Sequence, residues 1–257
     1  MTQLLDPDFE LSEAEMHLYA RQILLDDWDI DAQEKLKLAN VLIVGCGGIG
    51  CTTAELLARA GVGKITLIDA DTVEQSNLQR QIAFTTQDLG FYKSEVLAKR
   101  LRLINPFIVV EALTKHLDEQ NADDLISKQD LVLDGCDNFS TRYLVNAVCK
   151  EHQIALISAS AIGLQGQMFM VEAESACYEC LFPQEDHANE SLRCADSGVL
   201  ATTPNVMASL QAHHALLYLG LGLTPLKQKL LLWDGKNMQQ RILNFNKDTD
   251  CTICQAI

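Results

Sequence analysis

The sequence predicts an α/β fold, with a doubly wound, Rossmann-like, mostly parallel sheet that ends in antiparallel strands. The first observation is an apolar strand at 41–44 that runs into a glycine-rich turn at 45–50 and then into a helical pattern. The second is that further strands and helices alternate up to residue 158, which is typical of a parallel sheet. The third is that the later strands come in pairs without a helix between the two members, which favours antiparallel pairing.

Each predicted helix has a recognisable start or stop signal. Ser12 and Glu15 match a capping box, in which each side chain accepts a hydrogen bond from the other residue's backbone N–H, so the first helix is expected to begin after Ser12. Gly61 ends the helix that follows the glycine turn, Asn105-Pro106 ends the next one, and Asn138 is a suitable N-cap for the one after that. The helices after the first are predicted at 54–60, 93–104, 142–152 and 202–219.

The predicted strands are short apolar runs, bounded by glycine, proline or polar residues. They are 41–44, 64–69, 107–110, 131–134, 154–158, 167–171, 230–233 and 240–244. With 257 residues, of which 48% are apolar, the chain is long enough to bury the core of one large α/β domain.

The charge balance makes some classes of protein improbable for this chain. The chain has 20 Lys+Arg against 35 Asp+Glu and a net charge of −15, which argues against a nucleic-acid binder. The N-terminus is acidic and lacks the basic region of a secretory signal, and the most apolar stretch, 215–223, is too short to cross a membrane. We therefore expect a cytoplasmic protein with no membrane partner, whose 9 cysteines serve metal or thiol chemistry rather than disulfides.

The glycine-rich turn predicts a nucleotide site. Glycines at 45, 47, 48 and 50 allow a tight turn and a close approach of the backbone to phosphate, and the following helix N-terminus offers N–H groups to an anion. Asp69 lies about nineteen residues past Gly50, near the spacing of a carboxylate that binds ribose hydroxyls. The polar run 77–81, with an arginine and three amides, suits the phosphates of a mononucleotide better than a nicotinamide. The chain is therefore interpreted as a user of ATP.

Two C-x-x-C pairs, Cys177/Cys180 and Cys251/Cys254, predict a structural zinc site, because four thiolates complete a tetrahedral coordination shell. The alternative is two unrelated pairs, one of them redox-active. Cys194 lies in a polar segment beside an arginine, where it is either a reactive thiolate or a passive loop cysteine. The other cysteines lie among apolar neighbours and are expected to be small buried residues: Cys46, Cys51, Cys136 and Cys149.

These features together resemble the MoeB/ThiF family, bacterial relatives of the ubiquitin-activating enzymes, from Arg21 to Cys254. Members of that family use ATP and magnesium to adenylate the C-terminal glycine of a small ubiquitin-like sulfur carrier protein. The residues that carry the resemblance are the glycine turn, Asp69, the run 76–81, Lys93, Asp137-Asn138 and the two cysteine pairs.

The resemblance implies a role for each of these residues. The backbone of Gly48 would contact the nucleotide, Asp69 would bind ribose, and Asp137 would hold Mg²⁺ with Asn138 beside it. Arg21 would reach the ATP site of a neighbouring subunit, which implies a homodimer. A cysteine at the position of Cys194 can bond covalently to the carrier in the thiamine branch of the family. Lys93 would meet the phosphates, and the residues that would wrap them are Ser76, Asn77, Leu78, Gln79 and Arg80.

The resemblance also implies the organisation and the partners of the chain. We expect one adenylation domain over 1–257, with N-terminal helices at 10–38, a nucleotide-binding half at 39–160 and a carrier-binding, zinc-holding half at 161–257. The carrier would end in Gly-Gly and would be either the small subunit of molybdopterin synthase or the thiamine-pathway sulfur carrier. Because no sulfurtransferase domain follows Cys254, sulfur is expected from a separate sulfurtransferase or cysteine desulfurase.

Two other functions are compatible with the glycine turn. An NAD-dependent oxidoreductase would need a hydride-handling site, and the sequence has no suitable histidine or tyrosine–lysine pair near a strand end. A non-catalytic nucleotide-binding scaffold is disfavoured by the joint presence of Arg80, Lys93 and Asp137. Taken singly, each of these side chains could be an ordinary surface charge or helix cap. Most of them fall together at or just past the carboxyl ends of predicted strands, where ligands bind in such sheets.

Overall fold

The computed structural model describes residues 10–183 and 198–255. The strands in these residues are β1 (Asn40–Val44), β2 (Lys64–Ile68), β3 (Val109–Leu113), β4 (Leu131–Asp134), β5 (Ala155–Ile162), β6 (Gln165–Val171), β7 (Lys229–Asp234) and β8 (Gln239–Asn244). The helices are α1 (Glu13–Ile23), α2 (Asp29–Leu38), α3 (Gly50–Ala60), α4 (Lys93–Ile104), α5 (Ala122–Ile126), α6 (Phe139–Glu151), α7 (Tyr178–Leu181), α8 (Thr202–Leu221) and α9 (Thr252–Gln255).

The strands form one sheet in the order β3-β2-β1-β4-β5-β6-β7-β8. The pairs from β3 to β5 are parallel, and the pairs from β5 to β8 are antiparallel. The predicted fold class is confirmed. Val44 pairs with Ile68 on one side and with Asp134 on the other, so β1, β2 and β4 end at the same level and the loops that follow them lie side by side.

Helices cover both faces of the parallel half of the sheet. Val41 and Ile43 belong to a buried cluster with residues of α2, α3, α4 and α8, whereas Leu42 and Val44 belong to a second cluster with residues of α5, α6 and α7. This burial on both faces explains why β1 and β4 are continuous apolar runs instead of alternating ones. None of the helices in the described residues has the length and apolar character needed to span a bilayer.

The predicted helix signals are confirmed where the structure tests them. The Ser12–Glu15 capping box is formed, with the Ser12 N–H donating to Glu15 Oε2 at 2.8 Å and the Glu15 N–H donating to Ser12 Oγ at 3.3 Å. Asn138 caps α6 by accepting a hydrogen bond from the Thr141 N–H at 2.9 Å. Gly61 ends α3 with a φ of 93°, a left-handed conformation that favours glycine.

The strand predicted at 107–110 was placed too early, because β3 begins at Val109 and ends at Leu113. Pairing with β2 sets this register, with Lys64 opposite Val109 and Ile68 opposite Leu113. Phe107 lies instead in the preceding turn, where its N–H donates to Asn105 Oδ1. The short helix α5 was not predicted, since its five residues are too few to show a helical period.

Candidate functional site

The glycine turn closes tightly at the carboxyl end of β1. Gly45 has a φ of +88°, and a Cβ on Gly50 would lie 1.8 Å from the Gly45 carbonyl oxygen, so neither position tolerates a side chain without a backbone shift. No side chain of the described residues caps the N-terminus of α3. The Cys51 and Thr53 N–H groups donate to the Gly47 and Ile49 carbonyl oxygens, both at 3.0 Å, so an anion here would be met by the other N–H groups of the turn and by the positive end of the helix dipole.

Asp69 holds the glycine turn against the end of β2. Its carboxylate accepts hydrogen bonds from the Cys46 N–H at 2.6 Å and from the Asp71 N–H at 2.7 Å. Burial raises the pKa of this carboxyl group, although the two N–H donors oppose the shift. The carboxylate thus lies beside the glycine turn, and the ribose contact assigned to it stays a prediction.

The predicted phosphate-wrapping run 76–80 is a 3₁₀ turn and its continuation. Asn77 is buried and its Oδ1 accepts the Glu74 N–H at 3.2 Å, while Leu78 packs against the core. Arg80 bends back over the turn, where its Nη1 donates to the Ser76 carbonyl oxygen at 3.1 Å. Ser76 and Gln79 are exposed. The side chains of Asn77 and Leu78 therefore stabilise this turn, and Arg80 provides its positive charge.

Lys93 lies next to Asp71 at the first residue of α4. It is only 6% exposed, and its Nζ donates to Asp71 Oδ2 at 2.9 Å. A hydrogen bond from Ser94 Oγ to the Asp69 carbonyl oxygen, at 3.1 Å, ties the same helix end to the end of β2. The register of the sheet thus brings a buried ammonium group to the edge that carries the glycine turn.

A buried ion pair between Asp134 and Arg142 holds the loop after β4 in place. Asp134 is 1% exposed and accepts hydrogen bonds from Ser158 Oγ at 2.6 Å and from the Cys136 N–H at 2.9 Å. The Arg142 Nε lies 3.4 Å from Asp134 Oδ2, and its Nη2 donates to the Cys136 carbonyl oxygen at 2.7 Å. Burial lowers the pKa of Arg142, but the Asp134 carboxylate together with Cys136 and Tyr178 outweighs this effect and raises the pKa above its ordinary value.

This loop presents Asp137 and Asn138 at the surface, beside the glycine turn. A Cβ on Gly135 would lie 3.1 Å from the Gly50 nitrogen, so the two loops are in direct contact. Asp137 and Asn138 are exposed and lie at the mouth of a cavity of about 580 Å³, which extends over the antiparallel strands and is lined also by Arg142, Tyr178, Trp233 and Arg241.

Arg21 lies far from the glycine turn of its own chain. It is exposed at the end of α1, and the neighbouring Gln22 donates its Nε2 to the carbonyl oxygen of Ala60 at 3.0 Å. Ala60 is the last residue of α3, an 11-residue helix, so about 15 Å of helix separates it from the glycine turn. The structure does not bring Arg21 together with the other predicted site residues of the same chain.

The four cysteines of the two pairs meet at one point. Their Sγ atoms all lie within 4.8 Å of one another, with Cys177–Cys251 and Cys180–Cys254 at 3.6 Å and Cys177–Cys180 at 3.9 Å. A tetrahedral zinc with Zn–S bonds near 2.3 Å requires sulfurs about 3.8 Å apart. The geometry therefore fits zinc and disfavours two unrelated pairs.

The surroundings of these thiols differ within the cluster. Burial raises the pKa of Cys177 and of Cys251 to about 11. Burial also acts on Cys180, but the Asp248 N–H, 3.4 Å from its sulfur, and other donors lower its pKa below the ordinary value. Metal binding requires thiolates, so a cation at this point would favour the deprotonated form of all four.

Four of the five remaining cysteines were predicted to be buried. Cys46, Cys51 and Cys149 are fully buried, and burial raises the pKa of each. Cys136 is half-buried in the Asp137 loop, so the expectation of a buried residue was wrong there, because Cys136 lies past the end of β4. Cys194 lies outside the described residues.

Some residues of the site were not predicted. The sequence indicates only that Arg142 belongs to a helix and that Asp134 ends a strand. Nothing in the local sequence shows that these two residues pair. Asn205 and Gln211 of α8 also reach the site, by hydrogen bonds to the Arg80 and Asp134 carbonyl oxygens at 3.1 and 2.9 Å. The sequence does contain one signal for the ion-pair partner of Lys93, which is the acidic residue Asp71 two positions after Asp69.

Comparison with protein-family models matches the ThiF family over residues 19–253. The sulfur carrier protein ThiS adenylyltransferase of Escherichia coli (strain K12) is 41% identical over 246 residues, which cover 95% of this chain and 97% of that protein. The molybdopterin-synthase adenylyltransferase of the same organism is 39% identical over 247 residues, with 95% and 98% covered.

Solved structures agree with this match. The crystal structure of E. coli MccB with ATP has a TM-score of 0.76 and 27% identity, and covers 87% of this chain and 69% of that one. The family match spans the glycine turn, the Lys93 helix, the Asp137 loop and three of the four zinc-type cysteines. The resemblance predicted from the sequence is confirmed, and the chain belongs to the ThiF family.

Proposed function

We propose that the protein is an ATP-dependent adenylyltransferase that activates the C-terminal Gly-Gly carboxylate of a ubiquitin-like sulfur carrier protein. The product is an acyl-adenylate, and pyrophosphate is released. The observation that carries this proposal is the proximity of four features at one edge of the sheet: the glycine turn, Arg80 beside Gly48, Lys93 beside Asp71, and the Asp137 loop that contacts Gly50. The names of the two E. coli adenylyltransferases, which match almost end to end, support it.

The chemistry needs neutralised charge more than it needs a general base. The carboxylate of the carrier is already ionised at neutral pH, and it must attack the α-phosphate of a polyanion. Arg80 and Lys93 supply positive charge from this chain, and the N–H groups at the start of α3 add fixed dipoles. The pyrophosphate group gains negative charge as it leaves, so the same groups stabilise the transition state.

A magnesium ion is part of the proposal. Asp137 offers exposed carboxylate oxygens at the mouth of the cavity, and Mg²⁺ prefers oxygen ligands of this kind together with substrate phosphates. Such an ion would screen the phosphate charge. The buried Asp134–Arg142 pair keeps the loop that carries Asp137 in place through the Cys136 carbonyl oxygen.

The cavity supports a peptide tail as the second substrate. Its volume of about 580 Å³ is in the range of small-ligand sites, and it runs from Asp137 along β6, β7 and β8. An extended Gly-Gly tail without side chains suits such a passage to the nucleotide. The thiamine-branch and molybdopterin-branch relatives are 41% and 39% identical to this chain, so the proposal covers the shared chemistry and either carrier.

We also propose that the cysteine cluster holds one structural zinc ion, because the sulfur spacing suits tetrahedral coordination and protein ligands fill every position. The homodimer is proposed on the position of Arg21, which lies at the far end of α3 and can complete a glycine-turn site only in another copy. A separate sulfurtransferase or cysteine desulfurase as sulfur donor, and the cytoplasmic location, stay predictions from the sequence.

ATP–pyrophosphate exchange with purified carriers that end in Gly-Gly tests the function. Exchange is expected to require the carrier, and Arg80→Ala or Asp137→Ala is expected to reduce it at least about a hundredfold, as loss of electrostatic stabilisation commonly does. Arg59→Ala is the matched control, because Arg59 pairs with Glu55 on the surface of α3. Full exchange in both site variants would show that the site is assigned wrongly.

The oxidoreductase alternative has its own test. If the glycine turn binds ATP, then ATP with magnesium raises the melting temperature and NAD(H) leaves it unchanged, since a ligand stabilises the state that it binds. Stabilisation by NAD(H) alone would favour the alternative.

A further inference from the structure

Asn205, in the first turn of α8, joins three segments of the nucleotide site. Its Nδ2 donates to the Arg80 carbonyl oxygen at 3.1 Å and to the Ala201 carbonyl oxygen at 2.8 Å. Its Oδ1 accepts a hydrogen bond from the Thr52 hydroxyl of α3 at 2.6 Å. Both amide hydrogens and the amide oxygen are therefore engaged, each with a different segment of the chain.

The helix that carries Asn205 is itself held firmly. Further along α8, Gln211 donates its Nε2 to the Asp134 and Ile157 carbonyl oxygens, both at 2.9 Å, and accepts a hydrogen bond from the Thr53 hydroxyl at 2.9 Å. These bonds attach α8 to the end of β4, to β5 and to α3. Because its helix cannot shift freely, the Asn205 amide has a fixed position over the glycine turn.

The first turn of α8 also covers the glycine turn directly. A Cβ on Gly48 would lie 3.1 Å from the Cβ of Pro204, so the proline ring packs against the bare backbone there. On the other side, the Thr203 hydroxyl donates to the Gly163 carbonyl oxygen at 3.1 Å. A Cβ on Gly48 would also lie 3.5 Å from Arg80 Cγ, so Pro204 and the Arg80 side chain both border the glycine turn there.

The turn around Arg80 is otherwise bonded mainly to itself. The Arg80 N–H donates to the Asn77 carbonyl oxygen at 3.1 Å, and the guanidinium donates to Ser76 of the same turn. The Asn205 amide links the Arg80 backbone to a separate helix. An amide serves this position because the acceptors at Arg80 and Ala201 need a donor, while the Thr52 hydroxyl needs an acceptor.

We propose that Asn205 is a positioning residue for nucleotide binding, which fixes the backbone of Arg80 relative to the glycine turn so that both address the same phosphate chain. The inference rests on the proposed ATP site. α8 would thereby contribute to the affinity for ATP, and Asn205 would do so through Arg80 without contacting the nucleotide itself.

Calorimetric titration of the full chain with Mg²⁺ and a non-hydrolysable ATP analogue, without carrier, tests this inference. Asn205→Ala is expected to weaken binding about tenfold, in line with the loss of one or two hydrogen bonds. In an Arg80→Ala background the same substitution is expected to change affinity less than about twofold, because the group that it positions is gone. Urea unfolding of each variant confirms that it is folded.

Two further variants sharpen the test. Ser209→Ala is the matched control, since the exposed Ser209 hydroxyl donates to the Asn205 backbone carbonyl oxygen at 2.9 Å and not to its side chain, and wild-type affinity is expected. Thr52→Val keeps the side-chain shape but removes the donor to Asn205 Oδ1, so a weakening of about threefold is expected, and again only when Arg80 is present. If Asn205→Ala does not fold, the affinity of Thr52→Val tests the role of Asn205 in its place.

The outcomes separate the inference from the function that it rests on. Wild-type protein that binds the analogue while Asn205→Ala or Thr52→Val binds equally well would overturn the role of Asn205 alone. Additive losses in the double variants would overturn it too, because they would mean that Asn205 acts independently of Arg80. Wild-type protein that binds no ATP analogue would remove the proposed function, and this inference with it.

Discussion

Lys93 occupies a position that structure alone does not favour. Its ammonium group is 6% exposed, and it begins α4, where the positive end of the helix dipole opposes a cation. Its ion-pair partner Asp71 has a side chain that is 61% exposed. A buried cation with an exposed partner at the wrong end of a helix suggests that the charge serves a ligand.

Lys93→Met is therefore expected to separate stability from activity. The loss of a pair with an exposed partner costs roughly 0.2–1 kcal/mol, and the relief of a cation at a helix N-terminus returns roughly 0.3–1 kcal/mol. Methionine keeps most of the alkyl packing of lysine. The free energy of unfolding should thus stay within about 1 kcal/mol of wild type, while exchange falls at least about a hundredfold, or about 2.7 kcal/mol of transition-state stabilisation.

Urea unfolding and ATP–pyrophosphate exchange on the same preparations measure the two quantities. Lys64→Met is the control, because Lys64 pairs with Glu111 at 3.0 Å at the amino end of β2, away from the glycine turn, and should keep full exchange. Exchange by Lys93→Met within about threefold of wild type would refute the reasoning. A loss of more than about 2 kcal/mol in unfolding free energy would instead assign Lys93 a structural role.

Three other predictions follow from the geometry. Gly50→Ala puts a Cβ 1.8 Å from the Gly45 carbonyl oxygen, so urea unfolding should show a loss of about 3 kcal/mol or more, and wild-type stability would contradict the described turn. Freshly purified protein should contain about one zinc per chain by metal analysis, and Cys180→Ser should lower both zinc content and melting temperature; less than about half a zinc in wild type would rule out the site. A mixture of Arg21→Ala and Asp137→Ala chains should recover part of the exchange, since hybrid dimers hold one intact site, and no recovery despite proven subunit mixing would contradict donation of Arg21 to a partner.

The sequence predicted most of the sheet because the signals were local. Val41 to Val44 formed a continuous apolar run before a glycine turn, and Asn138 had the side chain and the position of an N-cap, so both elements could be named from a few neighbouring residues. The strand at 107–110 was misplaced because its register depends on pairing with β2, a contact more than forty residues away in the chain. Local composition does not contain that information.

The candidate site was predictable to a similar degree and for the same reason. Asp69, Lys93 and Asp137 each follow or precede a recognisable element, so their meeting at one edge followed from the parallel sheet. The Asp134–Arg142 pair and the Asn205 amide depend on how helices lie over the strands. Such contacts join residues through tertiary packing and leave no periodic or spacing signal in the chain.

The central claim is that cationic side chains and the glycine turn hold the triphosphate at the carboxyl edge of the parallel strands. A crystal structure of the protein with a non-hydrolysable ATP analogue and Mg²⁺ tests this claim most directly. The account predicts phosphate oxygens within hydrogen-bond distance of Arg80 and Lys93, and the metal ion at Asp137. An analogue bound elsewhere, with these three side chains turned to solvent, would contradict it.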